Sequence, residues 1–285
     1  MIVSATPAKH EDRHSLEDTE VADLLQKTYD HYGVDFRNYS LASIKRRIRA
    51  VVKKEKLKDI PELQKKILDD AACMQRFLVA LSIHATSLFR DPPFYVAFRE
   101  RVIPLLKTYP FIRIWHAGCS SGQEVYSMAI LLKEEGLYER TKIYATDLSE
   151  RILDRAKSGI FSLASMQEYT NNYFKAGGKS SLSEYYFVKY NAAIFNSGLK
   201  KNIVFAQHNL VTDGSFNEFH VIFCRNVMIY FNPILQEHCH HLLFKSLLRL
   251  GFLGLGNKEN ILFSPHESNY VEYENVEKLY RKVTG

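Results

Sequence analysis

The spacing of apolar residues changes near Pro110, and this change constrains the fold more than any other feature of the chain. Before it, apolar residues recur at helical spacing, with no alternating β-branched run, over 21–32, 40–55, 61–68 and 71–82. After it, helical stretches near 124–134, 150–158 and 233–249 separate short apolar runs at 111–116, 142–146, 202–207, 219–224 and 252–255. Strands that alternate with helices form βαβ units, so the second part predicts a doubly wound α/β fold with a parallel sheet covered on both faces.

The 285 residues are therefore expected to form an all-helical N-terminal domain and a Rossmann-like α/β domain. We place a flexible tail at 1–15, the helical domain at 16–95 and the α/β domain at 96–285. Two β-prone runs with little helical signal predict a small hairpin subdomain at about 183–197, inserted between the second and third sheet strands.

Targeting signals and cysteine spacing indicate the compartment. No stretch approaches the ~18 uninterrupted apolar residues of a membrane span, and residues 1–14 lack the apolar segment of a secretory signal. The four cysteines are far apart and form no C-x-x-C pair. We expect a cytoplasmic monomer with reduced thiols and no direct membrane insertion.

A basic segment occupies the second helical stretch. Between 45 and 58, eight residues are Lys or Arg and Glu55 alone is acidic, whereas the whole chain has a formal charge of +6. Ile44 and Ile48 lie on the opposite, apolar face of the same helix. A cationic stripe without carboxylates at i+4 indicates an anionic partner. From charge alone, nucleic acid, acidic lipid and an acidic protein helix remain open.

A glycine-containing turn follows the first predicted strand. The sequence AGCSSG (117–122) leads into a helix opened by Gln123 and Glu124, and Asp147 ends the next strand. Glycines at such a turn let the backbone approach a ligand and expose helix N-terminal amides. A carboxylate at the tip of the second strand is where this kind of fold binds a ribose diol. The pattern predicts a nucleoside site beside Gly118 and Asp147.

Other ligands and reactions use the same turn. Residues 118–122 also fit the nucleophile elbow G-x-S-x-G, with Ser120 as nucleophile, but several strands precede an elbow and here only helices do. A nicotinamide enzyme favours G-x-G-x-x-G, whose central glycine is missing. A nucleoside without pyrophosphate, such as S-adenosylmethionine, needs less of that spacing.

Five strings make the assignment more specific. In order they are TSLFRDPPF (86–94), RIWHAGCSSGQEVYSMAILL (113–132), IYATDLS (143–149), AKSGIF (156–161) and VIFCRNVMIYFNP (221–233). Their order and spacing resemble those of CheR, the family of chemotaxis receptor glutamate methyltransferases, over about 30–259. The resemblance implies a class I methyltransferase domain that transfers the methyl group of S-adenosylmethionine to receptor glutamate γ-carboxylates. The products are a methyl ester and S-adenosylhomocysteine.

The resemblance also assigns residues. The cofactor-binding set, which includes Gly118 of the turn, is His84, Thr86, Arg90, Gly118, Glu124, Asp147, Asn209, Leu210, Arg225 and Asn226. Arg225 and Asn226 are expected at the pocket rim. Arg90 would steer a carboxylate through one loose hydrogen bond, and Tyr230 would be a neutral donor beside the transferred methyl group. The receptor, a helical hairpin with acidic faces, would contact the basic helix through Lys45, Arg46, Arg49, Lys53 and Lys56.

Some positions depart from the family pattern. His84 replaces a common Asn, Gln123 replaces the first Glu of G-E-E, and residues 256–259 read G-N-K-E where the family usually has G-H-S-E. These differences leave room for another protein substrate or for a non-catalytic cofactor sensor. The run HCHH (238–241) has no second cluster to complete a zinc site, so we expect no metal. Nucleic acid is not expected because the N/D-P-P-Y string of amine methylation is missing.

Overall fold

The computed structural model describes residues 8–81, 86–262, 264–274 and 276–284, with side chains from residue 16 onward. The chain divides into two compact units. The first comprises Met1–Ser82 and Tyr230–Asn232, and the second comprises Ile83–Ile229 and Pro233–Gly285. Within the described ranges, no helix is both long enough and apolar enough to cross a membrane.

The first unit contains four helices in the described residues: α1 Ala8–Tyr32, α2 Leu41–Lys54, α3 Ile60–Asp69 and α4 Ala71–Leu81. Asp59 caps α3 by accepting the Glu62 N–H at 2.9 Å, and Pro61 occupies its first turn. Ile44 and Ile48 of α2 are buried, as the apolar face predicts. Helix α1 starts within the segment 1–15 that we expected as a tail. No Gly or Pro interrupts the chain from 8 to 32, although its first residues lack an apolar stripe.

The second unit has the predicted Rossmann-like architecture. Its helices are α5 Pro92–Ala97, α6 Ile103–Leu106, α7 Gln123–Glu134, α8 Glu150–Ser158, α9 Met166–Lys175 and α10 Pro233–Ser246. Its main-sheet strands are β1 Ile112–Ala117, β2 Thr141–Asp147, β6 Ile203–Gln207, β7 Phe219–Cys224, β8 Leu247–Leu255, β9 Tyr270–Glu274 and β10 Leu279–Lys282. The sheet order is β6-β2-β1-β7-β8-β10-β9. The four pairings among the first five strands are parallel, which brings their carboxyl ends to one edge.

Two details differ from the sequence expectation. The sheet is mixed, because β10 runs antiparallel to both β8 and β9. Helix α10 ends at Ser246 and β8 starts at once, so the predicted helix to 249 is too long and the predicted strand from 252 too short. The apolar run LLRLGFLGL suits either element, and the left-handed Leu250 (φ +64°) interrupts the strand rather than the helix.

The small subdomain is a three-stranded antiparallel sheet that consists of β3 Ile160–Ser162, β4 Tyr186–Lys189 and β5 Ala192–Phe195 in the order β3-β5-β4. The predicted hairpin corresponds to β4 Tyr186–Lys189 and β5 Ala192–Phe195, joined at the left-handed Tyr190 and Asn191. The third strand, β3 Ile160–Ser162, is too short to give a periodic signal and was not predicted.

Candidate cofactor-binding and active site

The turn after β1 has an unusual backbone. Gly118 (φ +74°), Ser120 (φ +51°) and Gly122 (φ +91°) are all left-handed. A Cβ on Gly118 would lie 2.7 Å from a methyl carbon of Val227, so only glycine fits where the two loops meet. This tight turn delivers the chain to the N-terminus of α7, where Glu124 occupies the first turn. Because β1 is the first strand of the sheet, the nucleophile-elbow alternative does not fit the fold.

Asp147, at the carboxyl end of β2, joins two loops. Its Oδ2 accepts the Ser120 N–H at 2.9 Å and its Oδ1 accepts the Ser149 N–H at 3.1 Å. The Asp147 carbonyl accepts the His208 N–H at 3.2 Å, which brings the segment after β6 beside it. Charge-assisted hydrogen bonds to backbone amides are stronger than neutral ones. The Asp147 carboxylate therefore stabilises the turn after β1, and it does so at the carboxyl end of the sheet.

Arg225, directly after β7, is fully buried rather than at a pocket rim. Its Nη1 donates to Glu124 Oε2 at 2.9 Å, its Nη2 donates to Asp91 Oδ2 at 2.8 Å, and its guanidinium lies 4.0 Å from the centroid of the Phe94 ring. This geometry suits the planar guanidinium, which can bind two carboxylates and stack on an aromatic ring at once. The residue therefore ties α7 to the segment that carries Arg90.

Glu124 has a second partner in His116, whose Nδ1 lies 2.9 Å from Oε1. Burial by itself would raise the pKa of the Glu124 carboxyl, but the hydrogen bond with His116 and the charge of Arg225 hold that pKa below its usual range. Glu124 is thus ionised at neutral pH and held from both sides. Its remaining lone pairs can still accept a bond from a ligand.

The segment around Arg90 is strained. Phe89 (φ +49°) and Asp91 (φ +57°) are left-handed although neither is glycine. The Phe89 ring packs edge-on against Tyr95 and Tyr173 at centroid distances of 5.0 and 5.3 Å, and its N–H donates to Ser127 Oγ at 2.8 Å. Such strain persists only where the surroundings impose it, and it concentrates at functional sites. Arg90 and Thr86 are half-buried in this segment, whereas His84 lies outside the described residues.

The other predicted residues lie at neighbouring strand ends. Asn209 Oδ1 accepts the Val211 N–H at 3.0 Å in a turn after β6, and Leu210 is buried. Asn226 follows Arg225 and is left-handed (φ +60°). Arg225 thus binds Glu124 and precedes Asn226, and Asp147 binds the turn that contains Gly118. The cofactor roles of all these residues stay predictions.

The sequence did not predict the hydrogen bonds that Glu259 accepts from a neighbouring loop. This buried carboxylate accepts five backbone N–H groups at 2.6–3.3 Å, from Asn226, Val227, Met228, Ile229 and Gly256. Burial raises the pKa of the Glu259 carboxyl, and the N–H donors oppose that rise. The G-x-x-E spacing after β8 was the available signal, but it does not show that the acceptor serves a different loop.

Tyr230 and the basic helix belong to the first unit. The Arg47 guanidinium lies 4.9 Å from the centroid of the Tyr230 ring, and the Ser40 N–H donates to the Tyr230 carbonyl at 2.8 Å. Arg47 is itself buried and donates to the Leu81 carbonyl. The catalytic role of Tyr230 stays a prediction.

The cationic stripe is partly neutralised by α1. Lys45 forms an ion pair with Asp18, and Arg49 binds Glu17 through two bonds of 2.6 and 2.5 Å. The remaining exposed cations of the segment are Arg46, Lys53, Lys54, Lys56 and Lys58. The cationic surface is therefore displaced toward the C-terminal end of α2.

The histidine run on α10 does not assemble a metal site. Cys239 is buried, and burial lowers the pKa of His240 to about 4. His241 Nδ1 lies 2.9 Å from His266 Nε2. Across the residues that the structure describes, no group of three or more His, Cys, Asp or Glu side chains could hold a metal ion.

Comparison with protein families matches nearly the whole chain. Residues 84–276 match "CheR methyltransferase, SAM binding domain", and residues 19–82 match "CheR methyltransferase, all-alpha domain". The chain belongs to the CheR methyltransferase family. It is thus an S-adenosylmethionine-dependent methyltransferase, with the cofactor domain and the all-helical domain expected from sequence.

Relatives within the CheR family cover most of the chain. A protein named "Putative methyltransferase Cher3" from Pseudomonas putida is 46% identical over 93% of this chain and 97% of its own length. A "Chemotaxis protein methyltransferase" from Listeria monocytogenes is 31% identical over 81% of this chain and 86% of its own length. A "Chemotaxis protein methyltransferase 1" from Pseudomonas aeruginosa is 28% identical over 87% of this chain and 92% of its own length.

The charges at the strand ends suit the cofactor of the CheR family. S-adenosylmethionine has a sulfonium, an ammonium and a carboxylate, and so carries a net positive charge. Asp91, Glu124 and Arg225 together leave one negative charge, and Asp147 adds another. The left-handed turn after β1 adds a helix N-terminus near these carboxylates.

Proposed function

We propose that this chain transfers the methyl group of S-adenosylmethionine to glutamate γ-carboxylates of chemoreceptors. The names of the Listeria and Pseudomonas aeruginosa relatives support chemotaxis as the setting. When bound, the cofactor supplies a sulfonium methyl group to the attacking carboxylate oxygen. A C–O bond forms, the S–CH₃ bond breaks with its electron pair left on sulfur, and no proton is transferred.

The observation that carries the proposal is the state of the carboxylates at the strand ends. Asp147 accepts two backbone N–H groups, Glu124 is bound by His116 and Arg225, and Asp91 is bound by Arg225. Each of these three carboxylates is therefore already bound by protein groups, and none of the three is placed as a general base. A glutamate acceptor with a pKa of about 4.3 is already ionised at neutral pH and needs no general base.

The site can instead accelerate the reaction by orientation. Holding the carboxylate oxygen in line with the S–CH₃ bond supplies on the order of several kcal/mol. Desolvation strengthens the attraction between the anionic oxygen and the sulfonium. Both charges are neutralised as the ester and the thioether form, so a site that excludes water favours the reaction. Arg90 is the proposed cation for the acceptor or methionine carboxylate, and Tyr230 is the proposed neutral donor.

The proposed receptor surface is the exposed cationic end of α2. Arg46, Lys53 and Lys56 remain accessible there, whereas Lys45 and Arg49 already have partners on α1. An acidic receptor helix would meet this surface with complementary charge, which raises the association rate and fixes register more than it adds affinity.

The test is incubation of the purified chain with tritiated S-adenosylmethionine and receptor-containing membranes. Label released by alkali as volatile methanol supports the ester. Label that is stable to base on another residue type, or no label despite cofactor binding measured by calorimetry, overturns the proposal in favour of N-methylation or of a cofactor sensor.

A further inference from the structure

Glu259 lies at the junction of two strand-end loops. It follows β8 in sequence, yet four of its five N–H partners belong to 226–229, the turn after the neighbouring strand β7. Successive backbone N–H groups that converge in this way form an anion nest, and here the anion is the protein's own carboxylate. Glu259 is buried, with 5% of its surface exposed, so water does not compete for these bonds.

The turn that Glu259 holds carries residues of the cofactor site. It begins with the left-handed Asn226, it packs Val227 against Gly118, and it runs directly into Tyr230. A non-glycine residue persists in this conformation only where its surroundings offset the conformational cost. The bonds from Asn226 and Val227 to Glu259 are the contacts that offset this cost.

Packing alone does not fix the turn. An open cavity of about 480 Å³ is lined by Met228 and Ile229 of the turn and by Ile234, Leu262 and Glu259, among others. At Gly256 there is no spare room, because a Cβ there would lie 2.6 Å from Asn226 Nδ2 and 2.7 Å from Glu259 Oε2. The turn could therefore move toward the cavity if the carboxylate released it.

We propose that Glu259 is a positioning residue for methyl transfer, which holds the 226–229 turn in its active geometry through backbone hydrogen bonds. This role rests on the proposed function, since the 226–229 turn leads into Tyr230, the proposed neutral donor in that reaction. Misplacement of a site by about 1 Å can cost 10²-fold in rate without loss of the fold. The negative charge and the length of the side chain are both required, because two oxygens must reach five donors.

The test compares Glu259→Gln and Glu259→Asp with the wild-type chain. The amide keeps the shape but directs an N–H₂ group at backbone donors, so we expect kcat to fall about 30- to 100-fold. The shorter acid keeps the charge and should restore part of the rate. Hydrogen exchange of the 226–229 amides should be at least about tenfold faster in Glu259→Gln, and the affinity for S-adenosylhomocysteine should fall by a smaller factor than kcat does.

Glu134→Gln is the matched control. Glu134 is also buried and accepts bonds from Tyr173, Tyr185 and Arg99, but it lies in the last turn of α7, eleven residues from the N-terminus that faces the site. If its loss of stability matches that of Glu259→Gln, its kcat should nevertheless stay near wild type.

Three results overturn the proposal: wild-type kcat in Glu259→Gln, unchanged exchange at 226–229, or failure of both Glu259 variants to fold, which would assign a structural role. If the wild-type chain itself forms no ester, the proposed function fails. Hydrogen exchange and S-adenosylhomocysteine binding then still test whether Glu259 holds the turn.

Discussion

Two regions of this molecule, the strand ends of the second unit and the exposed face of α2 in the first unit, differ in how their charges are bonded. At the strand ends of the second unit, Asp147, Arg225 and Glu259 are buried and each is bound by several protein groups. On α2 of the first unit, Lys53 and Lys56 are exposed, and the ion pair of Arg49 with Glu17 lies at the surface. A buried charge that loses its partner costs several kcal/mol, whereas an exposed pair contributes about 0–1 kcal/mol.

This contrast separates the two kinds of work that the chain must do. Buried, fully bonded charges fix the geometry of a small ligand and of the loops around it. Exposed cations act at a distance and leave the fold almost unaffected when they change. Substitutions of the buried charges at the strand ends should therefore alter stability and cofactor affinity, and substitutions of the exposed cations on α2 should alter encounter with the acceptor protein.

The largest effect is expected from Arg225→Met. The variant removes the positive charge between Glu124 and Asp91 and leaves two carboxylates without their shared partner. We expect the free energy of unfolding in urea to fall by about 3 kcal/mol. Lys157→Met, which removes an exposed 3.5 Å pair with Asp154, should cost less than about 0.5 kcal/mol. Equal losses in the two variants would remove the contrast between the regions.

The next effect concerns Asp147→Ala. Loss of the acceptor for the Ser120 and Ser149 N–H groups releases the turn after β1 and removes the proposed ribose ligand. We expect S-adenosylhomocysteine to bind at least about 100-fold more weakly by calorimetry, since each charge-assisted bond contributes roughly 1.5–3 kcal/mol. The control is Asp59→Ala, which removes a similar carboxylate-to-N–H bond at the start of α3. Unchanged affinity in Asp147→Ala would refute the pocket assignment.

The sequence was sufficient where function depends on local pattern. Strand and helix periodicity placed β1, β2 and β7, and the end of β2 placed Asp147 at the edge where the ligand is expected. Both follow from a general property of parallel sheets, that the carboxyl ends of adjacent strands meet at one edge. The CheR family match confirms the fold and the cofactor that these patterns predict.

Contacts between residues that are far apart in the sequence could not be predicted from local patterns. Glu17 and Asp18 neutralise Arg49 and Lys45 across two helices, so counting charges within α2 overstated its cationic surface. Glu259 lies 30 to 33 residues along the chain from the turn that it binds. A local pattern cannot encode these pairings, because they depend on how the chain packs after its elements have formed.

On the exposed side of the comparison, Lys53→Glu combined with Lys54→Glu should slow methylation without weakening the cofactor. Reversal of two exposed charges opposes an acidic acceptor, so we expect kcat/KM for receptor membranes to fall about 5- to 10-fold at low salt, with the difference shrinking as ionic strength rises. Lys157→Glu combined with Lys201→Glu, on the surface of the second unit, is the charge-matched control. Equal loss in the control would indicate a non-specific field and not a docking surface.

The smallest effect tests the boundary between the two kinds of charge. The Glu55 carboxylate accepts hydrogen bonds from Arg76 at 2.7 and 2.9 Å and from Lys66 at 2.8 Å. These hydrogen bonds lower the pKa of Glu55 to about 2. Because the folded pKa lies below the unfolded value, the stabilisation is complete above about pH 4.5 and is lost as the pH falls toward 2.

A double-mutant cycle of Glu55→Gln and Arg76→Gln measures this stabilisation directly by urea unfolding. Solvent screening should keep the coupling energy at pH 7 in the range of a surface ion pair, and the coupling should shrink between pH 5 and pH 3 as the carboxylate takes up a proton. Coupling that stays constant over that range would show that shape and not charge joins these two residues. Coupling as strong as that of a fully buried pair would place Glu55 with the buried charges at the strand ends, and exposure would no longer separate the two kinds of charge.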